Sequence, residues 1–418
     1  MSLMAIAVMA QQAGAREPRQ EFKGPVKVFI LAGQSNMEGP AHIRTIEGIG
    51  DDPVTAPMLK DMLGPDGKPV VCPNVWLSYL TGEGDNNAIE TTGRMTAGYG
   101  SMWGMDHSKP GDKIGPEFTF GIYMSKAVKE PILIIKTAWG GKSLHTDFRP
   151  PGAGPYQLSS FQRENYPKQE GHGIPKDFEQ WKADKAKATG HYYRLMIGHV
   201  RKVLDDVKRV YPNYDAAQGF ELGGFVWLQG FNDMVDGHVY PNHNKPDRFD
   251  LYSELLAHFI RDVRKDLAAP GMPFVIGVMG VGGLKDESVD MVAFRRAMAA
   301  PAAMPEFKGN VVAVQTAPFW SEELAAIDKK HEKVRQMRYF LDSKHKDHAN
   351  ADGKMTEEQK REFVKKFEVD LITPAEAALW KRGASNAGYH YLGCAKTFAL
   401  MGKAFAEADL KMLESRRP

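Results

Sequence analysis

The sequence predicts an α/β fold of three layers, in which helices cover both faces of a five-stranded parallel sheet. Five short runs are almost continuously apolar, as strands are when both of their faces are covered. Stretches with the apolar spacing of helices alternate with these runs, which is typical of a parallel sheet with right-handed crossovers. The predicted strands are Val26–Ala32, Pro131–Thr137, Gly223–Gln229, Phe274–Val281 and Asn310–Thr316.

Three helices are predicted between the strands, at Gly115–Lys129, His191–Val210 and Asp250–Leu267. The second has apolar residues at spacings of three and four, so that one of its faces can pack on the sheet. Two segments, 38–114 and 142–190, are rich in Gly, Pro, Asn and Asp. We predict that both are long loops over the edge of the sheet at which the strands end.

The predicted organisation is a leader followed by one domain. Residues 321–388 are charged and predict a helical insertion within a single domain over residues 25–418. Residues 1–24 contain a short apolar run and Ala13-Gly14-Ala15, which has the form of a signal-peptidase site. A positively charged start is missing, so the leader is either a signal-peptide remnant or a disordered leader on a cytosolic protein. We expect a secreted or periplasmic protein.

The composition excludes several classes of function. Lys and Arg number 54 against 52 Asp and Glu, and the net charge of +2 without a basic block argues against a nucleic-acid partner. No run approaches the roughly 18 apolar residues of a membrane span, so no membrane partner is expected. Cys72 and Cys394 are too few for a disulfide framework, and two buried thiols are expected.

Small polar residues and glycines follow the predicted strands. Gln34-Ser35-Asn36 follows the first, Gly140-Gly141 the second and Gly230-Phe231-Asn232-Asp233 the third. In such sheets ligands bind beyond the carboxyl ends of the strands. Ser35 stands where a helix begins, in reach of amide N–H donors that can stabilise an oxyanion, although an N-cap is the commonest role of such a serine.

Five motifs resemble the SGNH hydrolase superfamily, and within it the sialate O-acetylesterase and acetylxylan esterase group, carbohydrate esterase family six. They occur in the family's order and span most of Val26–Ala408. They are GQSNMEG at 33–39, GPEFTFG at 115–121, KTAWGGKSL at 136–144, WLQGFND at 227–233 and HYLGCAKTFALMGKAFAEA at 390–408.

The resemblance implies an SGNH-type, flavodoxin-like α/β/α fold and a carbohydrate O-acetylesterase that needs neither cofactor nor metal. It implies that Ser35 is the nucleophile and His390 the general base. The oxyanion hole and substrate site would draw on the Ser35 backbone and on the residues that follow the second and third strands. We expect these further residues to be Gln34, Gly140, Gly141, Gln229 and Asn232.

Two carboxylates that the family usually has are missing. Ala387 stands where an aspartate normally orients the histidine, and Phe231 stands where relatives often have glutamate. Three explanations are open: Asp233 or another acid orients His390, a backbone carbonyl does so, or the protein binds glycans without cleaving them. An esterase acting on non-sugar esters is a further alternative.

The tryptophans, two histidines and a polar loop give weaker indications of function. Trp103 and Trp139 are the tryptophans expected to line a cleft. His238 and His243 lack a metal-ligand pattern. The loop at 348–359 resembles part of a calcium-binding EF-hand, but His348 and Gln359 occupy positions that need carboxylates, so we expect a polar loop between helices.

Overall fold

A computed structural model describes residues 22–83, 86–169 and 171–416 of the 418-residue chain. The predicted leader therefore lies, up to residue 21, outside the described residues. Within the described part the chain forms nine strands. They are β1 Val26–Gly33, β2 Ala41–His42, β3 Val75–Glu83, β4 Asn86–Arg94, β5 Lys113–Ile114, β6 Ile132–Ala138, β7 Phe220–Leu228, β8 Phe274–Val278 and β9 Val311–Gln315.

The main sheet of the described residues has seven strands in the order β4-β3-β6-β1-β7-β8-β9, and all neighbours are parallel except β4 and β3. The five predicted strands are present, but the predicted number of five is wrong, because β3 and β4 lie within the segment 38–114 that was expected to be a loop. The antiparallel edge strand β4 mostly alternates exposed and partly buried residues. Its sequence therefore lacks the continuous apolar run by which the central strands were found.

Helices cover both faces of this sheet, as the three-layer prediction requires. In the described part the α-helices are α1 Ser35–Glu38, α2 Ala56–Met62, α3 Glu117–Ala127, α4 Ser160–Asn165, α5 Phe178–Ala188, α6 His191–Asp205, α7 Phe231–Met234, α8 Asp250–Asp266, α9 Val289–Ala299, α10 Glu322–Asp342, α11 Glu357–Leu371, α12 Pro374–Gly383 and α13 Ala395–Glu414. The segment 142–190, expected to be a loop, contains α4 and α5.

The central strand β1 shows how the two cores form. Val28 and Ile30 point to a core shared with α6, α8 and α9, whereas Phe29 and Leu31 point to a core shared with α3 and α13. Successive side chains of a strand face opposite sides of a sheet, so a fully apolar β1 supplies both cores. This places the end of β1, and with it Ser35, at the middle of the sheet edge.

The helices α10 to α12 occupy the charged segment after β9. Leu324 at the start of α10 packs with Ala384, Leu392 and Cys394, so that this segment supports the turn that contains His390. In the EF-hand-like loop, the buried Asn350 side chain bonds backbone atoms of Leu341 and Met355. Gln359 forms a capping box at the start of α11.

Cys72 and Cys394 are free and buried, as predicted. A search of the described residues for a helix long and apolar enough to cross a membrane finds none.

Candidate active site

Ser35 is placed at the carboxyl edge of the sheet by a very tight join between β1 and β7. A Cβ atom on Gly33 would lie 2.1 Å from the Leu228 carbonyl oxygen, so only glycine allows the two strands to approach so closely here. The Gln34 N–H donates to the same carbonyl group, and α1 then begins at Ser35. Ser35 is partly exposed at this edge.

The buried Gln34 side chain determines which way Asn232 points. Gln34 Oε1 accepts the Gly230 N–H at 2.9 Å, and a backbone N–H can only donate. Gln34 Nε2 must therefore be the donor to Asn232 at 2.9 Å, which makes the contacted Asn232 atom its oxygen. The Asn232 Nδ2 group is left without a hydrogen-bond partner among the described residues, and it is available as a donor at this edge.

Gly140 and Gly141 follow β6 beside Ser35, as predicted. A Cβ atom on Gly140 would lie 3.8 Å from Ser35 Cβ, and Gly141 has a φ of +73°, a conformation that favours glycine. Both glycines are exposed. The backbone of this segment, which we call the oxyanion loop (residues 139–142), is thus open to a ligand bound next to Ser35.

Asp233 holds the chain beyond the oxyanion loop and does not contact His390. Its oxygens accept hydrogen bonds from the backbone of Leu144 and His145, from Gln229 Nε2 and from the Tyr240 hydroxyl. Burial raises the pKa of this fully buried carboxyl group. The hypothesis that Asp233 orients His390 is therefore wrong, because these four donors occupy the carboxyl group and His390 Nδ1 meets Asn386 instead.

Gln229 is also a supporting residue in the structure. It is 2% exposed, and its amide bonds the Lys142 carbonyl, Asp233 and the Tyr252 hydroxyl. Gln34 is equally buried. The two glutamines that were expected among the substrate-binding residues therefore position their neighbours, and Gly140, Gly141 and Asn232 remain as the exposed or partly exposed members.

His390 is oriented by an amide. Its Nδ1 lies 3.0 Å from Asn386 Oδ1, and the same oxygen accepts the Ala387 N–H at 2.8 Å. Because the backbone N–H fixes Asn386 with its oxygen inward, His390 Nδ1 must carry the hydrogen and Nε2 must be the basic nitrogen. Neither a carboxylate nor a backbone carbonyl takes the place of the missing aspartate at this nitrogen in the described structure.

A strained turn holds His390 in place. Tyr391 and Leu392 both have positive φ, at 49° and 60°, which is costly for residues with side chains. The buried Tyr391 hydroxyl accepts the Gly280 N–H at 2.8 Å and lies 3.0 Å from Thr316 Oγ1. These contacts at the ends of β8 and β9 offset the strain and hold the turn at the edge of the sheet.

Ser35 and His390 lie at the same edge of the sheet. Asn36 Nδ2 donates to the Tyr389 carbonyl at 3.1 Å, which joins the helix of Ser35 to the turn of His390. No hydrogen bond joins Ser35 Oγ to His390 within the described residues, although a nucleophile and its base are expected within hydrogen-bond reach of each other. Such contacts often tighten only when substrate binds.

Burial and Lys113 lower the pKa of His390 from 6.5 to about 4. The imidazole is therefore neutral at pH 7, as a base must be. A carboxylate partner would have the opposite effect on this pKa, and in the described residues His390 Nδ1 meets the Asn386 amide oxygen instead.

A pocket of about 350 Å³ opens beside the oxyanion loop. We call it the Trp139 pocket, and its lining includes Glu38, Thr81, Asn87, Trp103, Trp139 and Lys142. Trp103 is 66% exposed, and Trp139 is buried with its indole N–H donating to the Asn87 carbonyl. Both tryptophans predicted to line a cleft therefore do so.

Two functional candidates were missed in the sequence. Asn386 directly precedes Ala387, and its proximity to the empty aspartate position was the available signal. Glu38 lies within the first quoted motif, but nothing in the sequence distinguishes it from an ordinary polar residue at the end of a helix. Its position in the lining of the Trp139 pocket makes it a candidate.

A family model described as carbohydrate esterase, sialic acid-specific acetylesterase, matches residues 100–317, just over half of the chain. Gly140, Gly141 and Asn232 lie inside the matched range, whereas Ser35 and His390 lie outside it. A search of curated proteins finds no match.

Three solved structures are similar to this chain at low identity. A protein from Arabidopsis thaliana is 17% identical, with 70% of this chain and 86% of that chain covered and a TM-score of 0.35. XAC1771, a carbohydrate acetylesterase from Xanthomonas citri, is 14% identical over 69% of this chain and 49% of that chain, with a TM-score of 0.37. NanS is 14% identical over 70% of this chain and 79% of that chain, with a TM-score of 0.38.

Proposed function

We propose that this chain, which belongs to the carbohydrate esterase family described as sialic acid-specific acetylesterase, hydrolyses acetyl esters on sugars with Ser35 as nucleophile and His390 as base. The observation that carries the proposal is the Gln34 network. Gln34, which directly precedes the partly exposed Ser35, holds the Asn232 side chain by its oxygen, so that the Asn232 Nδ2 group has no hydrogen-bond partner in the described structure. That pairing suits attack on a carbonyl group whose oxygen becomes negatively charged.

In the first step Ser35 Oγ attacks the acetyl carbonyl carbon while its proton passes to His390 Nε2. The negative charge that develops on the carbonyl oxygen is met by Asn232 Nδ2, the Ser35 N–H and a backbone N–H of the oxyanion loop. Preorganised donors of this kind stabilise the transition state more than the substrate. His390 Nδ1–H stays bonded to Asn386, which keeps Nε2 directed outward.

The intermediate then collapses. The bond to the sugar oxygen breaks, and His390 returns the proton to that oxygen, so that the sugar leaves as an alcohol and Ser35 carries the acetyl group. His390 next takes a proton from a water molecule as the water oxygen attacks the acetyl carbon. The bond between that carbon and Ser35 Oγ then breaks, His390 returns the proton to Ser35 Oγ, and acetate leaves. Every proton in this scheme is moved by residues of this chain, and the scheme uses no cofactor.

The Trp139 pocket supports a sugar as the alcohol part of the substrate. It combines an exposed aromatic face at Trp103 with polar groups from Asn87 and Lys142, which is the lining expected for a ring rich in hydroxyl groups. The Lys142 ammonium also lies over the Tyr192 ring at 4.6 Å. Both a sialate and an acetylated xylan fit this description, and we further propose that the enzyme acts after export.

The test is acetate release from acetylated xylan, an O-acetylated sialic acid and a small aryl acetate by the wild type, Ser35→Ala and His390→Ala. Both variants should lose nearly all activity, while His243→Ala, a change at an exposed histidine, should retain it. Release from the aryl acetate alone would favour an esterase for non-sugar esters. An intact fold that binds glycans and releases no acetate would favour the carbohydrate-binding alternative.

A further inference from the structure

Glu38 is a partly buried acid that the scheme above does not use. It ends the four-residue helix that begins at Ser35, and it lines the Trp139 pocket. The Thr81 hydroxyl lies 3.0 Å from Glu38 Oε1. On the other side, Glu38 Oε2 lies against the oxyanion loop, since a Cβ atom on Gly140 would lie only 3.2 Å from it. The Gly140 backbone N–H acts on this carboxyl group as a hydrogen-bond donor.

No cation pairs with the Glu38 carboxyl group among the described residues. The nearest ammonium, Lys136 Nζ, has three donors, and they go to the Glu38 carbonyl at 2.7 Å, the Tyr99 carbonyl at 2.6 Å and Glu117 Oε2 at 2.8 Å. The other charged or titratable groups that face Glu38 are Lys113, Tyr79 and Glu117 from neighbouring elements, and His107, Lys142 and Tyr192 across the pocket.

We propose that Glu38 is a positioning residue that holds the backbone of Gly140 in the oxyanion loop, and that the loop is competent when the Glu38 carboxyl group is neutral. The inference rests on the proposed function. In the structure the Thr81 hydroxyl donates to Glu38 Oε1. When the acid is neutral, this hydroxyl can turn to accept the Glu38 O–H instead, and the carboxyl group still accepts on the Gly140 side, so both contacts persist without a charge. An ionised carboxylate would repel the oxyanion that forms next to Ser35.

The electrostatics agree with this role. Burial raises the pKa of Glu38 from 4.5 to about 7, against the weaker opposing effects of Thr81, Lys136, Lys113 and Gly140. The carboxyl group therefore changes its charge near neutral pH. Above that pH, Glu38 carries a negative charge next to the loop at which the oxyanion would develop.

The test compares Glu38→Gln, Glu38→Ala and wild type in pH–rate profiles with an aryl acetate. Glutamine reproduces the donor and acceptor of the neutral acid, so Glu38→Gln should stay within about threefold of wild type at pH 6 and lose the decline of about tenfold that wild type shows from pH 6 to 9. Glu38→Ala should be at least about tenfold slower at pH 6, because Gly140 loses its support. Glu47→Gln is the control at an exposed glutamate.

A second readout is independent of esterase activity. A raised pKa in the folded state means that folding binds a proton more tightly, so this stabilisation is complete below pH 4.5 and is lost as the pH rises through 7. The melting temperature of wild type should therefore fall relative to Glu38→Gln between pH 5 and 8, and Glu47→Gln should follow wild type.

Either measurement can overturn the proposal. A loss of more than about hundredfold in Glu38→Gln at pH 6 would mean that the charged form is needed, and an unchanged alkaline decline would mean that another group causes it. Melting temperatures that move in parallel would show that Glu38 does not titrate near pH 7. A wild type without esterase activity would overturn the proposed function and the catalytic part of this inference, while the melting data would still decide the charge of Glu38.

Discussion

The amide that orients His390 makes a strong prediction about pH. In Asn386→Asp a carboxylate replaces the oxygen that lies 3.0 Å from His390 Nδ1, and it can still accept the Ala387 N–H. The substitution adds a negative charge without changing the size of the side chain. It therefore tests whether charge, rather than geometry, is what this site lacks.

The magnitude follows from the pKa of His390. Its fall from 6.5 to about 4 corresponds to about 3 kcal/mol against the imidazolium ion. His390 must be neutral to act as a base, so activity is present above this pKa and is lost as the pH falls through it. We expect the acid limb of kcat/KM in the wild type near pH 4. A carboxylate in contact with an imidazolium raises its pKa by about 1–3 units, which moves the limb to about pH 5–7 in Asn386→Asp.

The rate above the limb should also change. The imidazolium that forms in the transition state gains a partner, and loss of such a partner costs about 10⁴ in a serine protease triad. We expect part of this factor, about 10- to 100-fold in kcat at pH 8, to be gained by Asn386→Asp. Asn386→Ala is the matched control, and it should lower kcat without moving the limb upward, because the ring loses its fixed tautomer.

The assay is the pH dependence of kcat/KM for an aryl acetate from pH 3.5 to 9, with the fold checked by circular dichroism at each end. A wild-type limb near pH 6.5 would refute the argument from burial. A limb in Asn386→Asp that stays where the wild type has it would show that Asn386 does not control the proton on His390.

Three further predictions concern the supports of the site. Asn232→Ala should lower kcat by about 10²–10³ with little change in KM, since its amide meets charge only in the transition state, and steady-state kinetics will show the split. Asp233→Asn should lower kcat by moving the segment after the oxyanion loop but leave the acid limb of the pH–rate profile in place. A shifted limb would show that Asp233 controls the pKa of His390. Lys136→Met should destabilise the fold by about 3–5 kcal/mol because it leaves Glu117 buried and unpaired, and Lys136→Met/Glu117→Gln should recover part of the loss in urea unfolding.

The sequence was sufficient to predict which residues share the candidate site, because the strand ends are informative. The central strands are apolar on both faces, so their limits are visible, and the small polar residues after them must meet at one edge. This reasoning predicted that Ser35, Gly140 and Asn232 lie at the same edge of the sheet. It did not reveal β3 and β4, since β4 has one exposed face and reads as a polar segment.

The partner of His390 could not be predicted for a different reason. Which group meets Nδ1 depends on the turn formed by Tyr391 and Leu392, and two consecutive residues with positive φ are not expected from their residue types. The turn brings the Asn386 side-chain oxygen to 3.0 Å from His390 Nδ1. A residue-by-residue comparison with a family looks for an acid at one position. It does not reveal that the amide of the neighbouring residue, Asn386, orients the His390 ring.

In the proposed mechanism, two groups must be uncharged for the enzyme to work. His390 must have lost its proton, which holds above about pH 4, and Glu38 must have kept its proton, which holds below about pH 7. Both shifts have the same physical origin, because burial opposes charge at the base and at the support of the oxyanion loop alike. The expected profile of kcat/KM is therefore bell-shaped with its maximum between these values. Asn386→Asp should narrow the bell from the acid side and Glu38→Gln should open it on the alkaline side, so the double variant should move the window as a whole to higher pH.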